Sequence, residues 1–186
     1  MNQIKINYEY EVILSLLKEE KHGRALAKEL GTSLTRIQGI LNELSRSSIV
    51  DYKEIGRNHV YFIKKNLIAQ TCIFNSEKYK LAKLISRYPF LNPLLSDIIE
   101  KSKAKLIILF GSYANETFNK ESDIDIYIET TDEHVRREAE KINDLASIKI
   151  GKFNKDEILI KEIIKNHVIL RGVEEYYEKL GFFKQA

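Results

Sequence analysis

Residues 106–112 read LIILFGS and residues 123–128 read DIDIYI, with ten residues between the serine and the first aspartate. A short apolar run that ends in a turn signal predicts a buried strand. Gly111 has no Cβ and lets the backbone approach a ligand closely. Ser112 begins a predicted short helix, whose unpaired N–H groups suit an anionic phosphate. The first stretch therefore predicts a strand that leads into a phosphate-binding turn.

The second stretch alternates between polar and apolar residues, which is typical of a half-buried strand. Asp123 and Asp125 are two residues apart, so we expect their side chains on the same face of that strand. Adjacent carboxylates repel each other, and Mg²⁺ relieves this repulsion while it also ligates substrate phosphates. Together the two stretches predict metal-assisted phosphoryl transfer, in which metal ions stabilise the attacking and leaving oxygens.

These residues carry a family resemblance. Gly111, Ser112, Asp123 and Asp125 resemble the Gly-Ser-x10-Asp-x-Asp signature of the polymerase-β-like nucleotidyltransferases, most closely the minimal nucleotidyltransferases of prokaryotes, over residues 90–175. The resemblance implies that Gly111 and Ser112 bind the β- and γ-phosphates of a nucleoside triphosphate. It also implies that Asp123 and Asp125 are catalytic and ligate Mg²⁺, on a small mixed sheet flanked by helices.

The chain departs from the family pattern at two places. Relatives often have Arg or Lys followed by Gly shortly after the Gly-Ser pair, where this chain has Asn115-Glu116. Active relatives usually add a third carboxylate on the next strand, which we expect at 146–153 with Lys149 at the acid's position. Asp144 and Asp156 flank this strand, but alternation places neither in the site. Without a third carboxylate the attacking hydroxyl lacks a base, so nucleotide binding without turnover stays open beside transfer.

The first third of the chain has a different pattern. Helical periodicity followed by strand alternation predicts these elements: helices at 8–20, 24–30 and 33–45, with Thr32 or Ser33 as the cap of the third, then strands at 49–55 and 59–64. Three helices followed by a hairpin resemble the winged helix-turn-helix domain of prokaryotic transcription regulators. This second resemblance covers residues 4–66.

The winged-helix resemblance implies DNA contacts from the third helix and from the wing. The candidate residues are Ser33, Thr35, Arg36 and Gln38 on the helix, and Lys53, Arg57 and Asn58 on the wing. Residues 1–66 hold 11 of the 30 Lys and Arg against 8 of the 27 Asp and Glu, so the whole basic excess lies there. This favours DNA binding. The alternative is a module for dimerisation or for docking of a partner protein.

We therefore expect a two-domain α/β (α+β) protein. The predicted divisions are a winged helix-turn-helix domain at 1–66, a helical junction at 67–89 and a nucleotidyltransferase domain at 90–186. In the junction, a packed segment at 67–76 is expected to precede a helix capped by Ser76. Near the end, residues 169–172 are expected to form a turn, and residues from Glu174 onward a polar tail.

Composition narrows the class of protein. A single cysteine, Cys72, excludes an internal disulfide framework, and the four histidines lack metal-ligand spacing, so a structural zinc site is not expected. The sequence shows neither an apolar signal region at its start nor a stretch long enough to span a membrane. We expect a cytoplasmic protein with no membrane partner.

Two functions compete. The first is a Mg²⁺-dependent enzyme that transfers a nucleoside monophosphate, AMP from ATP, to a protein acceptor. Relatives of the minimal group often act with a HEPN-type partner in toxin–antitoxin pairs, which implies the antitoxin role for this chain. The second is a DNA-binding regulator whose nucleotidyltransferase domain binds nucleotide without turnover. In a third interpretation, the winged module is a docking platform, and a homodimer stays open.

Overall fold

The computed structural model describes residues 4–115, 117–119, 122–141 and 146–184. These residues divide into two compact units: Ile4–Tyr79 together with Phe183 and Lys184, and Lys80–Phe182. In the described ranges, no helix combines the length and the apolar character needed to cross a bilayer.

The first unit packs helices against a small antiparallel sheet. Its elements are α1 (Tyr8–Lys18), β1 (Lys21–His22), α2 (Gly23–Glu29), α3 (Leu34–Arg46), β2 (Val50–Ile55) and β3 (Asn58–Ile63). The strands are ordered β1-β3-β2, and the short strand β1 was not expected from the sequence. The core is aliphatic, with Val12, Ile37 and Leu41 fully buried. The predicted cap of the third helix is confirmed, since the Ser33 hydroxyl accepts a hydrogen bond from Arg36 N at 3.2 Å.

The predicted break in the junction is wrong. Residues 67–87 form one continuous helix, α4 (Leu67–Arg87). Asn66 begins it, because its side-chain oxygen accepts from Ala69 N at 2.9 Å. Ser76 does not start a new helix: its hydroxyl donates to the carbonyl of Cys72 at 2.7 Å, one turn back within α4. A serine inside a helix thus imitates the sequence signal of a helix start.

The second unit has a mixed sheet with strand order β6-β5-β4-β7. Its elements are α5 (Leu91–Ser102), β4 (Ile107–Leu109), α6 (Gly111–Ala114), β5 (Ile124–Glu129), α7 (Glu133–Glu140), β6 (Ala146–Gly151), α8 (Ile158–Lys165), β7 (Val168–Arg171) and α9 (Val173–Leu180). Strand β4 runs antiparallel to β5 and β7, whereas β5 and β6 are parallel. Asp144, which flanks the predicted strand at 146–153, lies outside the described residues.

Apolar side chains cover both faces of this sheet. On one face, Ile124, Ile126 and Ile128 of β5 belong to the core cluster that also contains Leu95 and Ile98 of α5. On the other face, Tyr127 is buried, its hydroxyl donates to Gly151 O at 3.0 Å, and its ring lies 6.4 Å from that of Phe153. Strand β5 therefore runs through the core. Asp123 lies just before this strand, and Asp125 is its second residue.

Two predictions near the C-terminus are wrong. Residues 169–172 are not a turn, because most of them form the edge strand β7. The expected polar tail from Glu174 is the helix α9, which buries Tyr176 and Tyr177. Lys179 of α9 also pairs with Glu129 of β5 at 2.9 Å. The polar residues of this segment lie on one side of an amphipathic helix, and the aromatic residues on its other side are buried.

Candidate active site

Gly111 brings the turn that is predicted to bind phosphate into contact with the acidic strand β5. Its φ of +69° lies in the left-handed region that favours glycine. A Cβ at position 111 would overlap Oδ2 of Asp125 and would lie 3.2 Å from its Cγ. The backbone reinforces this approach, since Phe110 N donates to Asp125 O at 3.0 Å. The structure therefore places two of the predicted site residues directly against each other.

Ser112 and Asp123 lie on the two segments beside this contact. Ser112 is the second residue of α6 and is half-buried, and its carbonyl accepts from Thr117 N at 3.0 Å. Asp123 is exposed and immediately precedes β5. Just before it in the chain, the Ser122 hydroxyl accepts a hydrogen bond from Asn119 N at 2.9 Å. Glu116, part of the expected departure from the family pattern, lies outside the described residues.

The electrostatics of Asp125 are those of a partly buried carboxylate beside a second one. Burial raises the pKa of Asp125 above its ordinary value, and the charge of Asp123 raises it further. A hydrogen bond from the Ser147 hydroxyl and the positive charge of Lys149 oppose this rise in pKa. Asp125 therefore carries its negative charge at a free-energy cost that a bound cation would remove.

The register of β5 and β6 corrects the expected position of the third acid. Ser147 pairs with Asp125 in the parallel ladder, whereas Lys149 pairs with Tyr127. Ser147 therefore lies in the sheet position beside Asp125, and Lys149 is exposed two residues farther along. The sequence of β6, ASIKIG, contains no carboxylate. Asp156 is exposed in the segment before α8. The alternation of side chains along β6 predicted the face on which the third acid should lie. It did not predict which residue of β6 pairs with Asp125.

The donor set fits a hard divalent cation with open positions. Among the described residues, no group of three or more His, Cys, Asp or Glu is placed to hold a metal ion. Asp123 and Asp125 supply two carboxylates, and Mg²⁺ commonly takes one or two of these together with substrate phosphates and water. The two carboxylates therefore suit a Mg²⁺ ion whose remaining ligands are water or phosphate oxygens.

A methyl group at position 111 tests the contact with Asp125. We expect Gly111→Ala to lower the free energy of unfolding by about 1–3 kcal/mol, because alanine disfavours a positive φ. We also expect the affinity for ATP with Mg²⁺ to fall more than about 10-fold, because the Asp125 carboxylate must move. Urea denaturation and calorimetry measure the two effects.

The matched control for this substitution is Gly151→Ala in the same unit. A Cβ at Gly151 meets no atom within 4 Å, and its φ is not positive. Its ATP affinity and its stability should match those of the parent chain. Equal ATP affinity in the parent and Gly111→Ala chains would contradict the role given to Gly111.

The candidate DNA-binding residues lie in the first unit, and some of their side chains already contact other residues of the chain. Thr35, Arg36 and Gln38 are exposed on α3, whereas the Ser33 hydroxyl is occupied as the helix cap. The Arg36 guanidinium stacks over the ring of Tyr8 at 4.9 Å.

On the hairpin, Lys53 forms an ion pair with Glu20, while Arg57 and Asn58 are exposed at its turn. The exposed Thr35, Gln38, Arg57 and Asn58 are thus available to a ligand. Arg36 already stacks on Tyr8, and Lys53 is partly neutralised by Glu20.

Comparisons with known proteins bear on the second unit. A family model described as a nucleotidyltransferase domain matches residues 91–180. The putative protein adenylyltransferase MJ0128 of Methanocaldococcus jannaschii is 36% identical over 41% of this chain and 76% of its own length. A second protein of the same description and organism, MJ0141, is 35% identical over 45% of this chain and 81% of its own length.

A solved structure of the adhesin competence repressor AdcR of Streptococcus pyogenes is similar over 50% of this chain and 69% of that chain. Its TM-score is 0.41 at 15% identity, which is below the level that indicates a shared fold. The match to the family model instead includes both Gly111 and Asp125. From its sequence matches, the chain belongs to the nucleotidyltransferase family, with its nucleotidyltransferase domain in residues 91–180.

Proposed function

We propose that this protein is a Mg²⁺-dependent nucleotidyltransferase that moves AMP from ATP to a hydroxyl group of a protein acceptor. The acceptor oxygen, which gives up its proton, forms a bond to the α-phosphorus, and the bond from the α-phosphorus to the oxygen that bridges to the β-phosphate breaks, so that pyrophosphate leaves. The contact between Gly111 and the Asp125 carboxylate carries the proposal, because it joins a phosphate-binding turn to a metal-binding acid. The similarity to proteins named putative protein adenylyltransferases supports both the nucleotide and the class of acceptor.

Each site residue then has a distinct task. The Gly111 backbone and the Ser112 hydroxyl bind the β- and γ-phosphates and orient the α-phosphate toward the acceptor. Asp123 and Asp125 would hold Mg²⁺, which when bound neutralises the charge that develops on the transferring phosphate. The exposed Lys149, whose charge already acts on Asp125, adds positive potential at the same edge of the sheet.

The acceptor that we propose is a HEPN-type toxin, with this chain as its antitoxin. The resemblance of the Gly-Ser and Asp-x-Asp residues to the minimal nucleotidyltransferases supports this choice. Transfer of AMP to a hydroxyl group would place a bulky anion on the toxin. The added negative charge would repel any anionic group that this surface of the toxin would otherwise bind.

Transfer of label from ATP tests the proposal. The full chain is incubated with Mg²⁺, cell extract and ATP labelled in the α-phosphate, since that phosphate is the one transferred. We expect a labelled protein band that disappears when EDTA is added. A chain that neither labels a protein nor binds ATP in calorimetry would refute the proposed function.

A second candidate is a regulator that binds nucleotide without turnover. It is favoured by one observation, which is that Ser147 occupies the sheet position beside Asp125 and no acid lies on β6. A serine hydroxyl is too weak a base to deprotonate an acceptor near neutral pH. This candidate predicts ATP binding in calorimetry with no label transfer, so one pair of measurements separates the two functions.

We further propose that the first unit is a winged helix-turn-helix domain that binds DNA through α3 and the β2–β3 hairpin. The order of helices and strands supports the fold, and the exposed Thr35, Arg36, Gln38, Arg57 and Asn58 support the binding surface. A docking platform for a partner protein or for a second copy of the chain is the alternative. Light scattering of the full chain would detect a homodimer.

The salt dependence of DNA binding tests this second proposal. We expect the affinity of the full chain for duplex DNA to fall steeply with salt, because phosphate contacts release counterions. Arg57→Ala should reduce the slope of log affinity against log salt by about one. Lys53→Ala is the matched control, since Lys53 is already paired with Glu20, and its effect should be smaller. A salt-independent affinity would favour the docking alternative.

A further inference from the structure

Three aromatic rings meet beside the phosphate-binding turn, and we name Tyr88, Tyr113 and Phe118 the aromatic brace. Tyr113 and Phe118 are stacked, with ring centroids 4.2 Å apart and an angle of 7° between the planes. Tyr88 meets Phe118 edge to face at 4.9 Å. Tyr113 is buried in the core cluster, and Phe118 and Tyr88 pack against it. The brace therefore fastens Phe118 to the hydrophobic core.

Phe118 belongs to the segment that joins the two halves of the candidate site. Tyr113 directly follows Ser112 in α6, and Phe118 lies five residues before Asp123 in the chain. Two backbone donors hold the described part of this segment at its ends: Thr117 N donates to Ser112 O at 3.0 Å, and Ser122 N donates to Asn119 O at 3.2 Å. Between these bonds, the stacked ring of Phe118 links the segment to the core.

The two aspartates depend on this segment to different degrees. Asp125 lies within β5, where the sheet and the bond from Phe110 N fix its backbone. Asp123 is exposed and lies before the strand begins, so its position follows that of the preceding segment. A shift of this segment would therefore displace Asp123 while Gly111, Ser112 and Asp125 stay in place. A displacement of the Asp123 carboxylate by about 1 Å would weaken its contact with a ligand that the other site residues hold in place.

We propose that Phe118 is a positioning residue, which acts through its stack on Tyr113 to hold Asp123 at the distance from Ser112 that a metal-bound triphosphate requires. This inference rests on the proposed nucleotide site and adds the residue that sets its geometry. It makes a specific prediction about binding. The metal-independent affinity for ATP depends on Gly111 and Ser112, whereas the gain on addition of Mg²⁺ depends on Asp123 and hence on Phe118.

Calorimetry of ATP binding, with Mg²⁺ and with EDTA, tests the inference on the full chain. For Phe118→Ala we expect the gain in affinity from Mg²⁺ to shrink about 3- to 10-fold, which corresponds to the loss of an aromatic pair. The affinity in EDTA should equal that of the parent chain. Phe118→Tyr should restore the Mg²⁺-dependent gain because it keeps the stacked ring.

Phe90→Ala is the matched control. The Phe90 ring lies 6.4 Å from Tyr113 and is 59% exposed, but Phe90 is not part of the segment that leads to Asp123. Its Mg²⁺-dependent gain should match that of the parent chain. Thermal unfolding shows whether each variant folds. If Phe118→Ala does not fold, Phe118→Leu replaces it in the test, because leucine keeps the apolar volume but not the stacked ring.

The outcomes separate this inference from the proposed function. A full Mg²⁺-dependent gain in Phe118→Ala or in Phe118→Leu would overturn the positioning role while leaving the proposed function intact. Equal losses in Mg²⁺ and in EDTA would also overturn it, because they would indicate a general distortion of the site. A parent chain that binds no ATP under either condition would overturn the proposed function and this inference together.

Discussion

Asp125→Asn and Asp123→Asn are each expected to lower AMP transfer by about 10³-fold or more. Either change removes a metal ligand, and a bound metal contributes several kcal/mol of transition-state stabilisation, at about 1.4 kcal/mol for each factor of ten. The two amides keep the shape of the carboxylates, so the loss reports charge and not packing. Transfer of α-labelled phosphate at saturating ATP measures the effect, and Asp156→Asn is the control, since Asp156 is exposed and lies outside β5 and β6 in the chain.

Asp125→Asn, which should lower AMP transfer, should not lower the stability of the folded chain near neutral pH. Burial and the charge of Asp123 raise the pKa of Asp125 in the folded chain, so its ionised form opposes folding near neutral pH. A raised carboxyl pKa favours the proton in the folded state, and this penalty disappears as the pH falls below the unfolded value. Asp125→Asn should therefore unfold at the same or a higher temperature than the parent chain at pH 7 and lose this advantage at low pH.

A lower unfolding temperature for Asp125→Asn at pH 7 would contradict this electrostatic picture of the site. Addition of Mg²⁺ provides a second check on it. The cation should raise the unfolding temperature of the parent chain, because it neutralises Asp125, and should have less effect on the variant. If transfer persists in both asparagine variants, the proposed role of the carboxylates as metal ligands is wrong.

The site could be predicted in part because its residues lie on short, strongly patterned stretches. The apolar run before Gly111 and the alternation after Asp123 each specify a strand without reference to the rest of the chain. The pairing of these two strands, in which Phe110 N donates to Asp125 O, is determined by the tertiary fold and cannot be inferred from either stretch alone. The predicted cap of α3 was equally local, and Ser33 accepts from Arg36 N as expected.

The incorrect predictions concern residues whose environment is set by distant segments. Serine often caps helices, but the Ser76 hydroxyl donates to the Cys72 carbonyl inside α4. Ala69 and Ile73 of the same helix are buried in the core. The segment after Gly172 has the composition of a tail, yet Tyr176 and Tyr177 are buried, and their rings lie 5.7 Å from Phe153 and 5.6 Å from Phe182 respectively. In both places tertiary packing decides the structure, and polar composition alone does not reveal it.

The pairing register of β6 is the most consequential fact that the sequence did not supply. Side chains of a strand alternate with a period of two, so Ser147 and Lys149 lie on the same face and cannot be distinguished by pattern. Only the parallel register against β5 places Ser147 beside Asp125. This choice between two residues determines which substitution should supply the missing carboxylate.

Ser147→Asp is expected to raise the rate of AMP transfer about 10²-fold or more. The new carboxylate would lie in the sheet beside Asp125, where it can accept the proton of the acceptor hydroxyl, and a positioned general base contributes about 10²–10⁴-fold. It would also add a metal ligand, so the concentration of Mg²⁺ that gives half-maximal rate should fall. Without Mg²⁺ the variant should be less stable, because three carboxylates then repel one another.

Lys149→Asp and Ser147→Asn are the controls that make the result specific. Lys149→Asp introduces the same acid at the position expected from the sequence, but beside Tyr127 and in an exposed place. Ser147→Asn fills the same volume as the new aspartate without its charge. We expect neither control to accelerate transfer. A gain in Lys149→Asp that exceeds the gain in Ser147→Asp would mean that the acceptor approaches along the outer part of β6, and the assignment of position 147 would be wrong.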